Sequence, residues 1–291
     1  MTFKFRPLIV FTLFITVNFS VCATPALWLI EKDGTKKSYL FGTVHVGDKS
    51  MSTLPTKVTT AIKKSDKVIV EVDISKFTPF ELQTKTMPFM MLPQGETLKS
   101  ELKAQNYQAI ENYFNGKSIN INVFNAMKPW AVMLIITQME YQNAGLSETN
   151  GIDKQIIAFA NEHKINIEQF ETLEQQLSIF TKLEPYNDIM ISDTFEQLKD
   201  MQSHFGRLIS SWKRGSQQDL NRYYTEIFTK SELGKFSEKI MLTDRNQNWL
   251  NEFVPRLKNE SLFIAVGALH LSSEQGLIQQ LQNKGFKVTK K

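Results

Sequence analysis

Tyr39-Leu40-Phe41-Gly42-Thr43-Val44-His45-Val46-Gly47 and, near the other end, Leu262-Phe263-Ile264-Ala265-Val266-Gly267-Ala268-Leu269-His270-Leu271 carry one pattern twice: an apolar run, a glycine, two residues and a histidine. A short apolar run of β-favouring residues bounded by glycine reads as a buried strand. Glycine at its exit lets the chain bend, or lets another group approach closely. An imidazole delivered at that point is a metal ligand or a proton carrier. The chain has only four histidines, and two of them, about 225 residues apart, stand in matching strand–Gly-x-x-His settings. One such histidine has a ready structural explanation; the repetition points to a shared site.

The first copy continues through a helix over 55–64, with Pro55 at its start, into the β-branched strand Lys67-Val68-Ile69-Val70-Glu71-Val72-Asp73. Period-two geometry puts Glu71 and Asp73 on one face of that strand. The second copy continues through a helix over 273–284 into a strand over 286–290. Right-handed crossovers make the strands of such β-α-β units parallel and bring equivalent ends to one rim. In open α/β sheets that carboxyl rim is where ligands bind. Residues 45 and 270 become neighbours in this way.

A hairpin opens the ordered chain: strand 26–30, an Asp33-Gly34 turn and strand 37–41. From Pro79 the pattern turns helical, with helices expected over 79–91, 98–115, 127–143, 151–163, 173–183, 188–214, 216–229 and 242–258, and a strand over 164–171. Within 188–214, Ile191, Phe195, Leu198, Met201, Phe205, Leu208 and Trp212 recur at steps of three and four, the stripe of one long buried helix. The expected fold class is α/β (α+β), a central mixed sheet built from terminal β-α-β units at 24–75 and 260–291 around a mostly helical insertion, 76–259.

Residues 1–23 read as a secretory signal peptide: a basic start at Lys4 and Arg6, an apolar run from Leu8 to Phe19, and small residues before Thr24. The expected mature chain, 24–291, is exported to the periplasm or secreted, with no later run long enough to span a membrane. Cys22, the sole cysteine, lies at the cleavage region; a lipoprotein would lipidate it, but Val21 is bulky for the position before a lipidated cysteine. The mature chain therefore carries no thiol, and any metal must be held by histidine and carboxylate. Formal net charge is +4, or about +2 without Lys4 and Arg6, and no dense basic run with interleaved aromatics occurs. Nucleic acid is not an expected partner.

His45, His270 and Glu71 all fall at or just beyond strand ends in this arrangement. Two imidazoles and a carboxylate leave coordination positions open, as a hydrolytic divalent ion requires. Glu171, Asp73 or Asp48 supplies a further carboxylate as general base or ligand. His163, at a helix end, and His204 have no partner at metal-ligand spacing and read as structural. Thr243-Asp244-Arg245-Asn246 is polar for a helix start, and Thr243 or Asp244 would cap it; the plainer reading of Arg245 and Asn246 is an exposed first turn, the other aims them at an anionic intermediate or a metal-bound carboxylate. No Gly-x-Ser-x-Gly, phosphate loop or His-Glu-x-x-His occurs, and the spacing of Gly42 and Gly47 is wrong for a dinucleotide loop.

Taken together, the paired Gly-x-x-His motifs and Val70-Glu71-Val72-Asp73 resemble the TraB/GumN (TraB/PrgY) family, to which the Tiki metalloproteases belong. The resemblance covers nearly all of the mature chain. It includes Lys128-Pro129-Trp130, Asn150-Gly151-Ile152-Asp153, Phe170-Glu171-Thr172 with Gln175-Gln176, Arg245-Asn246 with Trp249, and Val266 to Leu277. Ser272-Ser273 departs from the usual proline–glycine type of turn. The resemblance implies a fold similar to erythromycin esterase (EreA) and ChaN proteins, and metal-dependent proteolysis with Mn²⁺ or Co²⁺; Zn²⁺ suits the same donors. It implies His45, Glu71 and His270 at the metal, Arg245 and Asn246 beside it, and a peptide or protein substrate. The alternative is an exported protein that binds a peptide or other ligand in the same cleft without turnover.

Overall fold

The computed structural model describes residues 24–291; the expected signal peptide and Cys22 lie outside them. β1 (Leu27–Glu31) and β2 (Ser38–Thr43) form the expected hairpin about Gly34. Helix α1 (Thr56–Lys64) leads to β3 (Lys67–Val70). Then follow α2 (Pro79–Met90), α3 (Ala104–Asn115), α4 (Pro129–Asn143), α5 (Ile152–Glu162), β4 (Asn166–Gln169) and α6 (Leu173–Thr181). Next come α7 (Asn187–Leu198), α8 (Met201–Lys213), α9 (Gln217–Phe228), α10 (Glu232–Glu238) and α11 (Asp244–Phe253). β5 (Leu262–Gly267), α12 (Leu277–Asn283) and β6 (Lys287–Lys290) close the chain.

The six strands make one mixed sheet in the order β4-β3-β5-β2-β1-β6. β2, β5, β3 and β4 are mutually parallel, and β1 runs antiparallel to both β2 and β6. β5 and β6 therefore also point the same way, as the two crossover units demand. Alternate residues feed opposite faces. Phe41, Val68, Val70, Phe263 and Ala265 pack beneath α1, α5 and α8 through Ile62, Ile156 and Trp212. Leu40, Ile69, Leu262, Ile264 and Val266 pack beneath α11 and α12 through Trp249, Phe253 and Leu281. A parallel sheet covered on both faces accounts for the near-continuous apolar strand β5.

Three expectations change. The single helix over 188–214 is two helices, broken at Lys199-Asp200. Ile191, Phe195 and Leu198 pack with α3 and α4, whereas Phe205, Leu208 and Trp212 pack on the sheet. One straight rod cannot serve both clusters, so the shared periodicity divides between them. The second change is at Thr243 and Asp244, which do not cap a helix start: α10 runs through a π-helical turn, Lys239–Thr243, directly into α11. Asp244 pairs instead with Lys239 at 2.7 Å. Third, β3 stops at Val70, because the Asp73 carboxylate accepts from Ser75 N–H and Oγ (3.1 and 2.6 Å) and turns the chain.

Candidate functional site

The four parallel strands deliver the candidate residues to one rim in strand order. Glu171 lies beyond β4, Glu71 beyond β3, His270 beyond β5 and His45 beyond β2. Neighbouring strands are about 4.8 Å apart, so the rim is a row of carboxylate, carboxylate, imidazole and imidazole. Both exit glycines lie close to neighbouring groups, Gly42 the more tightly. A Cβ on Gly42 would lie 2.9 Å from the Ala268 Cα, and one on Gly267 would lie 3.3 Å from Glu71 Oε1.

Arg245 ties the first three together. Its Nε and Nη2 donate to the two oxygens of Glu171 (2.8 and 2.9 Å), and Nη2 also reaches Glu71 Oε2 at 2.5 Å. Nη1 donates to Met241 O at 2.9 Å, a carbonyl of the π-helical turn, and approaches His270 Nε2 at 3.1 Å. The guanidinium lies over Trp249, 4.7 Å from the ring centre. The π-helical turn thus re-aims α11 so that its first turn faces the rim; such insertions occur often at functional sites. Glu71 also accepts from Gly267 N–H (2.7 Å) and from Gln176 Nε2 (3.1 Å).

Burial alone would raise the Glu71 carboxyl, but His270 when protonated, Arg245, His45 and the Gly267 N–H hold it below the usual carboxylate range, to about 2 with all of them charged. Burial drives His270 the other way, to about 3, with the Glu71 charge offsetting it only in part. His270 is therefore neutral at ordinary pH, and Arg245 is the lasting charge that keeps Glu71 ionised. Burial works against the Arg245 charge as well, but Glu71 and Glu171 outweigh it.

The tautomer of His270 follows from its partner. Asn246 Nδ2 donates to His270 O and Gln275 O (3.1 and 3.0 Å), so its Oδ1 faces the ring and accepts from His270 Nδ1–H at 2.7 Å. Nε2 is left unprotonated, 3.8 Å from Glu71 Oε1. His45 is arranged alike but in a different setting. Its Nδ1 donates to Asp153 Oδ2 at 3.0 Å, and 73% of the side chain is exposed. The Asp153 charge raises its pKa, against the opposing effect of burial. No ion pair or hydrogen bond joins His45 to Glu71 or His270 among the described residues.

The sequence profile of the TraB/PrgY/gumN family matches residues 26–290. The chain belongs to that family. It is similar to the uncharacterized protein YbaP of Escherichia coli strain K12 and of Shigella flexneri, at 24% identity over 87% of this chain and 90% of each relative. A metalloprotease TIKI homolog of the sponge Amphimedon queenslandica is 22% identical over 91% of this chain and 61% of its own length. No solved structure matches.

For this TraB/PrgY/gumN member, the donor chemistry at the rim suits a borderline divalent ion. Each imidazole has Nδ1 engaged by an oxygen, the arrangement in which histidine binds metal through Nε2, although Nε2 of His270 here accepts from Arg245 Nη1; an ionised carboxylate lies beside them. Among the described residues, however, no group of three or more His, Cys, Asp or Glu side chains is spaced to hold a metal ion. The cation that Glu71 and Glu171 share is Arg245. Of the alternative carboxylates, Asp73 is engaged with Ser75 and Asp48 with Ser50 and Lys213, leaving Glu171 at the site. His163 binds Phe159 O and His204 meets Arg207; both lie away from the rim. Sequence reasoning missed Thr43, Asp153 and Gln176 as site residues. Asp153 and Gln176 fall within quoted family stretches, but nothing in their spacing says which histidine or carboxylate they meet.

Proposed function

We propose that this protein is an exported, metal-dependent hydrolase that cleaves peptide bonds, with His45, Glu71 and His270 holding the cation. The observation carrying the reading is the orientation of the two imidazoles: Nδ1 is spent on Asp153 Oδ2 in one and on Asn246 Oδ1 in the other, so Nε2 is the acceptor nitrogen of each neutral ring, and in His270 it takes the Arg245 Nη1 donor that a cation would displace. A bound Mn²⁺, Co²⁺ or Zn²⁺ would supply Lewis acidity toward water and the scissile carbonyl. The protein's own groups supply the rest. Glu71, kept ionised by Arg245, contributes negative charge in a dry setting. Arg245 and the side chain of Gln176 both donate to Glu71 and hold that carboxylate in place. Exposed His45 is the group that substrate meets first.

Incubating the mature chain with a denatured protein, with and without Mn²⁺, tests the reading. Cleavage that requires metal, stops with chelator and vanishes in His45→Ala supports it; unchanged cleavage in chelator sinks the metal requirement. The second reading is a protein that binds a peptide or other ligand without turnover. It is favoured by Arg245, which already neutralises both carboxylates. Saturable binding with no products would establish it.

A further inference from the structure

Asn150-Gly151-Ile152-Asp153 supplies more than one contact to a ring nitrogen: it forms the cradle of His45. Gly47 and Ser147 exchange N–H···O bonds of 3.0 and 2.9 Å, and Ile152 N–H donates to Val44 O at 2.9 Å. Gly151 lies so close to the His45 carbonyl that a Cβ there would sit 2.3 Å from its oxygen. Helix α5 begins at this point, and Asp153 is in its first turn. The Asp153 carboxylate is held at both ends: Oδ2 accepts from His45 Nδ1 at 3.0 Å, and Oδ1 accepts from the hydroxyl of Thr43, the buried last residue of β2.

We propose that Asp153 is the positioning residue of His45: with Thr43 fixing the carboxylate from behind, it keeps a proton on Nδ1, so that in the neutral ring Nε2 is the bare outer nitrogen. This holds whether or not metal is present. Only the use of that nitrogen as a ligand rests on the function proposed above.

Thr43 makes the assignment testable by sign. Its hydroxyl has one proton, and that proton goes to Asp153 Oδ1. In Asp153→Asn, Thr43 still needs an acceptor, so the amide oxygen stays on the Thr43 side and Nδ2 turns to His45. A donor facing Nδ1 drives the imidazole proton to Nε2. The same inversion follows an Asp→Asn change in the Ser-His-Asp triad, where the wrong tautomer costs about four orders of magnitude in rate. Adding Thr43→Val removes the hydroxyl and frees the amide to flip its oxygen back toward His45. The second substitution therefore repairs the first, a pattern that loss of packing does not produce.

The test uses ¹⁵N-labelled full chain in chelator, with imidazole proton–nitrogen correlations recorded at a pH where the ring is neutral and His45 assigned from His45→Gln. The expected tautomer is Nδ1–H in the wild type and in Thr43→Val, Nε2–H in Asp153→Asn, and Nδ1–H again in Thr43→Val/Asp153→Asn. Asp153→Ala, which offers neither donor nor acceptor, should give a mixture and serves if the Asn variant fails to fold. Calorimetric titration with Co²⁺ should show a loss of roughly 10- to 100-fold for Asp153→Asn, as for other groups behind a ligand, and recovery in the double variant. A wild-type His45 carrying its proton on Nε2, or unchanged Nδ1–H in both Asp153→Asn and Asp153→Ala, overturns the proposal. The expected tautomers with no Co²⁺ binding in any variant uphold it and overturn only the metal reading.

Discussion

Arg245→Met removes the charge from the most heavily coupled side chain at the rim while keeping most of its length. Glu71, Arg245 and Glu171 have side chains only 8, 11 and 13% exposed, so the two carboxylates left behind cannot be rescued by water. Breaking a buried ion pair by deleting one partner costs about 3–5 kcal/mol. For a chain of this size each kcal/mol moves the melting midpoint by about 2–4 °C, which gives a drop of roughly 6–20 °C at pH 7 in chelator. The pH dependence fixes the sign. The folded-state pKa of Glu71 is depressed, so its stabilisation is complete above about 4.5 and is lost as pH falls toward 2. The gap between wild type and Arg245→Met should therefore narrow on acidification from pH 7 to pH 3. Lys85→Met, which breaks the exposed pair with Glu174 (44 and 43% exposed), is the control and should cost no more than about 1 kcal/mol. A variant melting within 2 °C of wild type at pH 7, or a gap that persists undiminished at pH 3, would refute the electrostatic account of this network.

The two histidines should differ in what their loss does to stability. His270→Ala leaves Asn246 Oδ1 unpaired and opens a void beside Trp249, whose ring lies 4.4 Å away, for a cost of about 2–4 kcal/mol; exposed His45→Ala should stay within about 1 kcal/mol, and equal thermal shifts would contradict this. Gly151→Ala has a backbone conformation any residue adopts (φ −63°, ψ 134°), so its cost, about 1–3 kcal/mol by overpacking, comes from contact with His45 O; a neutral thermal melt would show that the cradle is not tight. Trp212→Phe removes the indole N–H that donates to Gly42 O at 2.7 Å and should cost about 1–3 kcal/mol by chemical denaturation, since that carbonyl lies on the exit of β2 beneath α8.

Most of the sheet was legible because its signals are local. Glycine-bounded apolar runs mark β2 and β5, Asp33-Gly34 marks the hairpin, and the crossover rule supplies the parallel rim. From there Glu71 and His270 follow as neighbours, and the structure joins them through Arg245 and the Gly267 N–H. What was not legible depends on packing between distant segments. The break at Lys199-Asp200 does not interrupt the apolar period, because Leu198 and Phe205 are both apolar but serve different cores. Helix α10 is only seven residues long, capped by Ser231, the π-helical turn has no signal of its own, and the polarity of Asp244 and Arg245 imitates a helix start. Asp153 is one carboxylate among many in the chain until α5 turns it toward His45. Asp73, placed beside Glu71 by strand alternation, is lost to the site because its own short-range bonds to Ser75 end the strand first.

The repeated motif yields two histidines in opposite surroundings, and strand order explains why. β5 lies inside the sheet, with β3 and β2 on either side. Its exit is covered by α11, which brings Asn246 and Trp249 onto His270 and Arg245 between His270 and the carboxylates. β2 is also inside the sheet, but no aromatic side chain of α11 caps its exit; the loop leading to α5 secures the backbone of His45 and leaves the ring outside. One motif therefore delivers a neutral imidazole sealed from bulk water and a second that water reaches freely. Asn246 and Asp153 thus fix the two rings in separate settings, one dry and one open to solvent.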